Sequence, residues 1–270
     1  MKVARIRIDE VGGDEEIHYA RPLDPEGGSM EILTGDPFQG VHPTGKIVTR
    51  FTLLAPIVPP AILCIGLNYR RHAEEMNAKI PKFPVLFFKN TSALLDPGAS
   101  IQIPKKLPST QVDYEGELAV IIGKACRNVT REHALSHVLG YTVANDVSAR
   151  DWQKDWGGSQ WCRGKSFDTF APMGPWMVTT DEIPDPNSLR ITTKVNGETL
   201  QDSNSRDMIF DVPALIEFLS ADTTLPVGTI ILTGTPEGVG LGRTPQRWLH
   251  PGDRVEIEIE GIGRLENPVA

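Results

Sequence analysis

Glu115 and Glu117 stand two residues apart at the start of an apolar segment. In a β-strand, residues i and i+2 lie on one face, roughly 7 Å apart. Two carboxylates at that separation repel each other unless water or a cation lies between them. Gly116 separates them, and a glycine inside a strand typically marks close approach by a ligand or another backbone. A solvated strand face explains the same pair, so the spacing leaves both interpretations open.

A third acidic residue, Asp146, closes the apolar segment 141–147. A buried carboxylate at that position needs a partner. Three oxygen ligands with open coordination positions suit Mg²⁺ or Mn²⁺, admit Ca²⁺ and disfavour zinc. Glu115, Glu117 and Asp146 are therefore candidate metal ligands. Capping of the following turn by Asp146 is the alternative explanation.

His72 and Glu75 form a candidate pair for proton transfer. They are three residues apart in a segment of good helix formers, so they share one face of the predicted helix. A carboxylate beside an imidazole fixes its tautomer and raises its basicity, as a general base requires. A surface ion pair is the alternative interpretation.

Short strands and a few helices must position these residues. Apolar runs predict strands over 62–65, 85–89, 118–122, 141–147, 230–233 and 255–259. Helices are predicted over 69–78 with Asn68 as N-cap, over 130–139, and over 211–220 with an aspartate cap. Asn196-Gly197 predicts a two-residue hairpin turn. The glycine-rich segment 234–240 lacks the Lys-Ser/Thr of a phosphate-binding loop and predicts a turn after a strand.

The order of these elements indicates the fold class and the domains. The first fifty or so residues alternate short strands with turns, and Pro56–Pro60 marks a boundary. We therefore expect a small N-terminal β-rich region over residues 1–58 and a catalytic domain over residues 59–270. Because strands outnumber helices and hairpins recur, the sequence predicts an α+β, mostly β fold with helices on its flank.

Composition limits the partners and the compartment. The 270 residues carry a formal net charge of −8, which argues against nucleic-acid and anionic-membrane partners. No apolar run is long enough to span a bilayer, and no export signal is apparent. The cysteines, Cys64, Cys126 and Cys162, are scattered and odd in number. A disulfide framework is therefore disfavoured, and a cytoplasmic location is expected.

Five ordered motifs, from about residue 62 to the end, resemble the fumarylacetoacetate hydrolase family. They are Gly66-x-Asn68-Tyr69-x-x-His72-x-x-Glu75, Asp113-Tyr114-Glu115-x-Glu117-Leu118, Asn145-Asp146-x-Ser148-Ala149-Arg150-Asp151-x-Gln153, Gly164-Lys165-Ser166-Phe167-Asp168 and Thr233-Gly234-Thr235-Pro236. The chain is most similar to the shorter members with acylpyruvate hydrolase, oxaloacetate decarboxylase or keto–enol tautomerase activity. This resemblance implies a mixed β-roll, sandwich-like catalytic fold and a homodimer.

The resemblance also implies a role for each matching residue. Glu115, Glu117 and Asp146 would bind the metal, and His72 with Glu75 would form the base dyad. Substrate contacts would come from Arg150, Gln153, Lys165 and Thr235. The full-length enzyme has a fourth acidic ligand some seven residues before the histidine, where this chain has Ile65 or Gly66.

These roles predict an Mg²⁺- or Mn²⁺-dependent hydrolase that cleaves a carbon–carbon bond in a 2,4-dioxo acid of the acylpyruvate or fumarylpyruvate type. His72 would deprotonate the attacking water, and the cation would stabilise the pyruvate enolate that forms. As a catalytic residue, Lys165 would add positive charge near the developing oxyanion. On the same site, the alternatives are an oxaloacetate decarboxylase or keto–enol tautomerase, a 2-oxo-acid hydratase or isomerase of aromatic catabolism, and a non-catalytic relative. In each catalytic case the partner is a small 2-oxo acid.

Overall fold

The computed structural model of the chain describes residues 1–9, 15–156 and 158–270. Residues 10–14 and 157, which belong to the predicted N-terminal region and catalytic domain respectively, lie outside the described residues. The strands of the described ranges are β1 (Lys2–Asp9), β2 (Glu15–Pro22), β3 (Met30–Asp36), β4 (Gly40–Val48), β5 (Thr52–Leu54), β6 (Ile62–Gly66), β7 (Val85–Lys89), β8 (Leu94–Leu95), β9 (Val112–Asp113), β10 (Gly116–Ile122), β11 (Val138–Asn145), β12 (Ser148–Ala149), β13 (Ala171–Thr179), β14 (Arg190–Val195), β15 (Glu198–Asn204), β16 (Ile230–Leu232), β17 (Arg254–Ile259) and β18 (Gly263–Pro268).

The helices of the same ranges are short. The α-helices are α1 (Arg70–Glu75), α2 (Trp161–Lys165) and α3 (Val212–Ser220). A π-helix covers Asp151–Asp155. The 3-10 helices are Thr91–Ala93, Arg131–His137, Pro186–Ser188, Ser205–Asp207 and Gly240–Gly242.

Most of the strands belong to one large sheet. Twelve strands form it in the order β4-β3-β2-β1-β13-β11-β10-β16-β6-β7, with β5 paired to β1 and β8 paired to β13. A four-stranded sheet, β15-β14-β17-β18, contacts β10, β11 and β13 of the large sheet. The two sheets bury apolar residues between them, as in a sandwich. The predicted mostly-β class with flanking helices is confirmed.

The N-terminal strands continue the large sheet. β1 pairs with β13 through Lys2↔Val178 and Val3↔Met177, so β1 to β5 join the strands that carry the candidate site residues. The division at residue 58 stays a prediction.

No helix among the described residues is both long and apolar enough to cross a membrane.

Strand β10 lies at the centre of the large sheet, between β11 and β16. Every residue of β10 is buried, which explains why its sequence is an apolar run interrupted by one acid. Its register pairs Gly116 with Asn145, so the residues that flank this pair, Glu115 and Asp146, meet. The backbone N–H of Asp146 donates to the carbonyl of Glu115 at 2.9 Å.

Gly116 marks a close approach, but its neighbours are side chains of the second sheet and not the ligand or backbone that the sequence suggested. A Cβ at this position would lie 2.3 Å from Thr193 Oγ1 and 3.3 Å from Gln201 Oε1. The Gly116 N–H also donates to Gln201 Oε1 at 3.0 Å. The glycine therefore permits sheet packing, and it is not explained by a ligand.

The three predicted helices agree with the structure to different degrees. Helix α1 is shorter than 69–78, because Asn77 takes a left-handed conformation with φ of 49° soon after Glu75. The helix predicted over 130–139 is a 3-10 helix that ends before Val138, where β11 begins. Helix α3 has its predicted cap, since Asp211 Oδ1 accepts from the Ala214 N–H at 3.0 Å.

The hairpin turn at Asn196-Gly197 is confirmed. It joins β14 to β15, and both residues have positive φ, 53° and 82°. This conformation is the one that two-residue hairpins of the type I′ class require.

Candidate active site

Three buried carboxylates meet where β10 begins and β11 ends. One oxygen each from Glu115, Glu117 and Asp146 lies within 4.8 Å of the others. Glu117 lies on β10, Glu115 directly precedes the first residue of β10, and Asp146 directly follows the last residue of β11. The pairing of β10 with β11 brings the three together although thirty residues separate the two motifs along the chain. This buried acidic group can hold a metal ion.

Two buried lysines neutralise part of this charge. Lys165, the last residue of α2, places Nζ 2.6 Å from Glu115 Oε2 and 2.7 Å from Asp146 Oδ2. Lys89, the last residue of β7, places Nζ 2.5 Å from Asp146 Oδ1 and 3.0 Å from the carbonyl of Val147. Sequence reasoning missed Lys89, although a lysine at the end of an apolar run is itself a signal of a buried ion pair.

The three carboxylates differ in electrostatic environment. Burial opposes the ionisation of Glu115, but the charges of Lys165 and Arg150 outweigh it and hold the pKa of Glu115 well below its usual range. Burial, followed by the charges of Asp146 and Glu115, raises the pKa of Glu117 well above its ordinary value. Glu117 accepts one hydrogen bond, from the Gly234 N–H at 2.8 Å. A divalent cation fits this site, because it would neutralise the carboxylate that the lysines do not pair with.

His72 and Glu75 form the predicted contact within α1. His72 Nδ1 lies 3.0 Å from Glu75 Oε2, and the other oxygen, Oε1, accepts from the Gly238 N–H at 2.9 Å. A carboxylate can only accept hydrogen bonds, so Nδ1 carries a proton, and in the neutral imidazole Nε2 then keeps its lone pair. His72 as a whole residue is 6% exposed, and it lines a cavity. The structure thus has a largely buried hydrogen-bonded pair in place of the surface ion pair considered from the sequence.

A cavity of about 160 Å³ connects these groups. Its polar wall consists of His72, Glu115, Arg150, Gln153, Lys154 and Lys165. Its apolar wall consists of Leu67, Met76, Ala78, Trp161 and Leu241. Leu67, Met76, Ala78 and Leu241 were not predicted, because nothing in their local sequence distinguishes them from ordinary surface or core residues. Lys154 and Trp161 belong to the segment 154–162, whose tryptophans the sequence offers as residues that shape the substrate pocket, with a plain surface loop as the alternative.

The other predicted site residues lie behind this wall. Glu75 contacts His72, Asp146 accepts from Lys165 and Glu117 accepts from Gly234. None of these three acids lines the cavity. The hydroxyl of Thr235 hydrogen-bonds to residues of both sheets. Its Oγ1 donates to the Gly116 carbonyl at 3.0 Å and accepts from Gln201 Nε2 at 2.8 Å. Its role as a substrate contact stays a prediction.

The glycine-rich segment after β16 supports the acidic residues through its backbone. Gly234 donates to Glu117 and Gly238 donates to Glu75, and both glycines have φ of +97°. The next two donors, the N–H groups of Gly240 and Leu241, bind Asp113 at 2.7 Å and 3.0 Å. The segment is the turn after a strand that the sequence predicted, and its glycines allow the backbone to approach three carboxylates.

Asn68 joins three parts of the site instead of capping α1. The cap residue is Tyr69, which makes no side-chain cap hydrogen bond. The Asn68 side-chain amide donates to the carbonyls of Thr233 at 2.7 Å and Phe210 at 3.0 Å, and it accepts from the Phe210 N–H at 2.9 Å. These bonds tie the end of β6 to the segments that follow β16 and precede α3.

Asn68→Ala is expected to lower the free energy of unfolding by about 2–4 kcal/mol, because it leaves three backbone groups in a buried region without partners. The measurement is urea denaturation followed by circular dichroism. Asn204→Ala is the control, since Asn204 Oδ1 accepts from the N–H of Arg206 beside it in a surface turn. We expect a loss below about 1 kcal/mol there. Equal losses in the two variants would contradict the role given to Asn68.

Comparison with known proteins identifies the family and several relatives. The family described as fumarylacetoacetate (FAA) hydrolase C-terminal matches residues 61–270. A relative from Xenopus laevis, named oxaloacetate tautomerase fahd2, mitochondrial, is 49% identical over 222 residues, which cover 82% of this chain and 69% of that protein.

Two solved structures share the fold over nearly their whole length. The 5-carboxymethyl-2-hydroxymuconate delta-isomerase of Mycobacterium smegmatis has a TM-score of 0.84 at 38% identity, covering 100% of this chain and 99% of that one. The fumarylacetoacetate hydrolase of Exiguobacterium antarcticum has a TM-score of 0.86 at 36% identity, covering 99% of each chain.

The predicted cytoplasmic location is wrong by this comparison. The Xenopus laevis relative is named as a mitochondrial protein, as are further vertebrate relatives. The prediction depended on cysteine number and spacing, which report the redox conditions a chain tolerates and do not distinguish one reducing compartment from another.

Proposed function

The chain belongs to the fumarylacetoacetate hydrolase family of enzymes, and from this premise we propose that it interconverts the keto and enol forms of oxaloacetate. One observation carries the proposal: a histidine held by a carboxylate faces a small cavity whose polar wall also presents cationic side chains. The name of the Xenopus laevis relative, oxaloacetate tautomerase, supports this substrate.

The charges around the cavity suit a small dicarboxylate. Arg150, Lys154 and Lys165 line it. Each of these side chains can donate hydrogen bonds to carboxylate oxygens of a substrate. Arg150 and Lys165 are also paired with Glu115, at 2.6 Å each, which fixes their positions before substrate arrives. Side chains fixed in advance lose little conformational freedom on binding.

His72 is the proposed proton carrier. Its Nε2 lone pair would accept a proton from the carbon between the keto group and the distal carboxylate, and the same nitrogen would return the proton to oxygen or carbon. Glu75 would stabilise the imidazolium that exists between the two steps. The Gly238 N–H holds Glu75 in the orientation this requires.

Glu115, Glu117 and Asp146 would hold a divalent cation, Mg²⁺ or Mn²⁺, with Ca²⁺ also compatible with their oxygen ligands. When bound, the cation supplies a Lewis acid that stabilises negative charge on the substrate oxygens. Lys165 contacts two of the three carboxylates and so fixes their spacing.

Hydrolysis of a carbon–carbon bond in a 2,4-dioxo acid is the second candidate function. The same His72 nitrogen can deprotonate a water molecule instead of a carbon, so the site residues serve either reaction. The match to the Exiguobacterium antarcticum hydrolase over 99% of each chain favours keeping this candidate. A homodimer, which the family resemblance implies, stays a prediction for light scattering to test.

A panel of three assays on one preparation with Mg²⁺ tests these candidates. Enol absorbance of oxaloacetate reports tautomerisation, pyruvate formation from oxaloacetate reports decarboxylation, and enol absorbance of an acylpyruvate reports hydrolysis. We expect tautomerisation at enzyme concentrations at which the other two reactions stay at their uncatalysed rates. Acylpyruvate cleavage without oxaloacetate exchange would instead establish the second candidate, and no acceleration in any assay would contradict both.

A further inference from the structure

Asp113, the last residue of β9, is a buried carboxylate that belongs neither to the acidic trio nor to the cavity wall. It is 0% exposed. Its oxygen Oδ1 accepts from the N–H groups of Gly240 at 2.7 Å and Tyr114 at 2.9 Å. Its oxygen Oδ2 accepts from the Leu241 N–H at 3.0 Å. Both oxygens are therefore committed to protein donors.

The same oxygen Oδ2 holds one edge of the Arg150 guanidinium. Nε of Arg150 donates to it at 2.9 Å, and Nη2 lies 2.8 Å away. On the other edge, Nη1 donates to Gln153 Oε1 at 3.0 Å. Glu115 Oε1 also lies 2.6 Å from Nη2. Asp113 holds the Nε edge, Gln153 holds Nη1, and Glu115 shares Nη2 with Asp113, so the plane of the guanidinium is fixed.

Two parts of the cavity wall meet at Asp113. Arg150 precedes the π-helix, and Leu241 directly follows the glycine-rich segment 234–240. Both line the cavity, whereas Asp113 does not. Because Asp113 does not reach the cavity, any effect it has on a substrate must pass through the groups that it holds.

We propose that Asp113 is a positioning residue that sets the direction in which Arg150 presents its guanidinium to a substrate carboxylate. The inference rests on the proposed function, in which Arg150 binds an anionic substrate. An asparagine at this position keeps the size of the side chain but removes its charge and turns one oxygen into an N–H donor. The N–H group of the new amide would then face backbone or guanidinium N–H groups, which are also donors. The Nε edge of Arg150 would no longer be held in place.

Asp113→Asn tests the inference through binding as well as rate. Calorimetry with oxalate, in the presence of Mg²⁺, measures carboxylate binding without turnover. We expect oxalate affinity to fall about tenfold and KM for oxaloacetate to rise about tenfold, while kcat changes less than about threefold. Unchanged oxalate affinity in a folded Asp113→Asn protein would overturn the inference.

Asp253→Asn is the matched control. Asp253 also pairs with an arginine, Arg247 Nη2 at 2.9 Å, and accepts a backbone hydrogen bond, from His250 at 2.8 Å. It does not line the cavity. We expect oxalate affinity within about twofold of the wild-type value. A tenfold loss in this control as well would overturn the inference, because the loss would then follow from breaking an Asp–Arg pair away from the cavity.

Two further variants keep the inference testable if Asp113→Asn does not fold. Arg150→Gln is compared with Asp113→Asn/Arg150→Gln, in which both charges of the pair are removed. If Asp113 acts through Arg150, the double variant binds oxalate within about twofold of Arg150→Gln. A further tenfold loss in the double variant would overturn the inference. Wild-type protein that binds no oxalate would remove the proposed function and this inference together.

Discussion

Replacement of His72 by alanine is expected to slow oxaloacetate keto–enol exchange by about 10²- to 10⁴-fold, the usual contribution of a positioned general acid–base residue. The reason is the geometry of the pair in α1. Glu75 lies 3.0 Å from Nδ1, so in the neutral imidazole Nε2 is the nitrogen with a free lone pair, and His72 lines the cavity. The measurement is the exchange rate at saturating oxaloacetate with Mg²⁺ present.

His133→Ala is the control for His72→Ala. His133 is an exposed histidine whose Nδ1 lies 2.9 Å from the Thr130 hydroxyl. Its loss should leave the exchange rate within about twofold of the wild-type rate. The His72→Ala variant should still bind Mg²⁺, because His72 is not one of the proposed metal ligands. An exchange rate in His72→Ala near that of the wild type would remove histidine from the mechanism.

Glu117→Gln is expected to abolish Mg²⁺ binding and with it the activity, as removal of the metal with EDTA should do reversibly. Glu117 is buried among like charges, since Glu115 and Asp146 lie beside it. A glutamine side chain can still accept the hydrogen bond from the Gly234 N–H, and like a protonated glutamic acid it carries no charge. The variant therefore relieves repulsion in the metal-free protein while losing a ligand for the cation.

The sign of the stability change makes this prediction specific. Without metal, Glu117→Gln should unfold at a temperature equal to or above that of the wild type. Added Mg²⁺ should raise the unfolding temperature of the wild type and not that of the variant, because only the wild type gains binding free energy in the folded state. Thermal unfolding with and without Mg²⁺, together with metal analysis, measures both parts.

Glu132→Ala, at an exposed position in a 3-10 helix, is the matched control and should keep the Mg²⁺ response. Two results would contradict the metal site: a Glu117→Gln protein that Mg²⁺ stabilises as it does the wild type, and wild-type activity that survives EDTA.

Local sequence patterns were sufficient to predict several features of the fold and of the candidate site. Strand periodicity places residues two apart, such as Glu115 and Glu117, on one face. Helix periodicity does the same for residues three apart, such as His72 and Glu75. The Asn196-Gly197 turn and the Asp211 cap depend on the conformations of neighbouring residues alone. Such features can be predicted because their partners lie within a few residues.

Only the tertiary structure decided which distant residues meet. Lys89 contacts Asp146 across 57 residues, and Asn68 binds the Thr233 carbonyl across 165. Asp113 supports Arg150 and Leu241, although nothing near it in the sequence separates it from the proposed ligand Glu115. Strand order and register bring these residues together, and both result from burying the whole apolar surface at once. A short segment of sequence contains the periodicity of its own side chains but not the identity of the residues that will cover them.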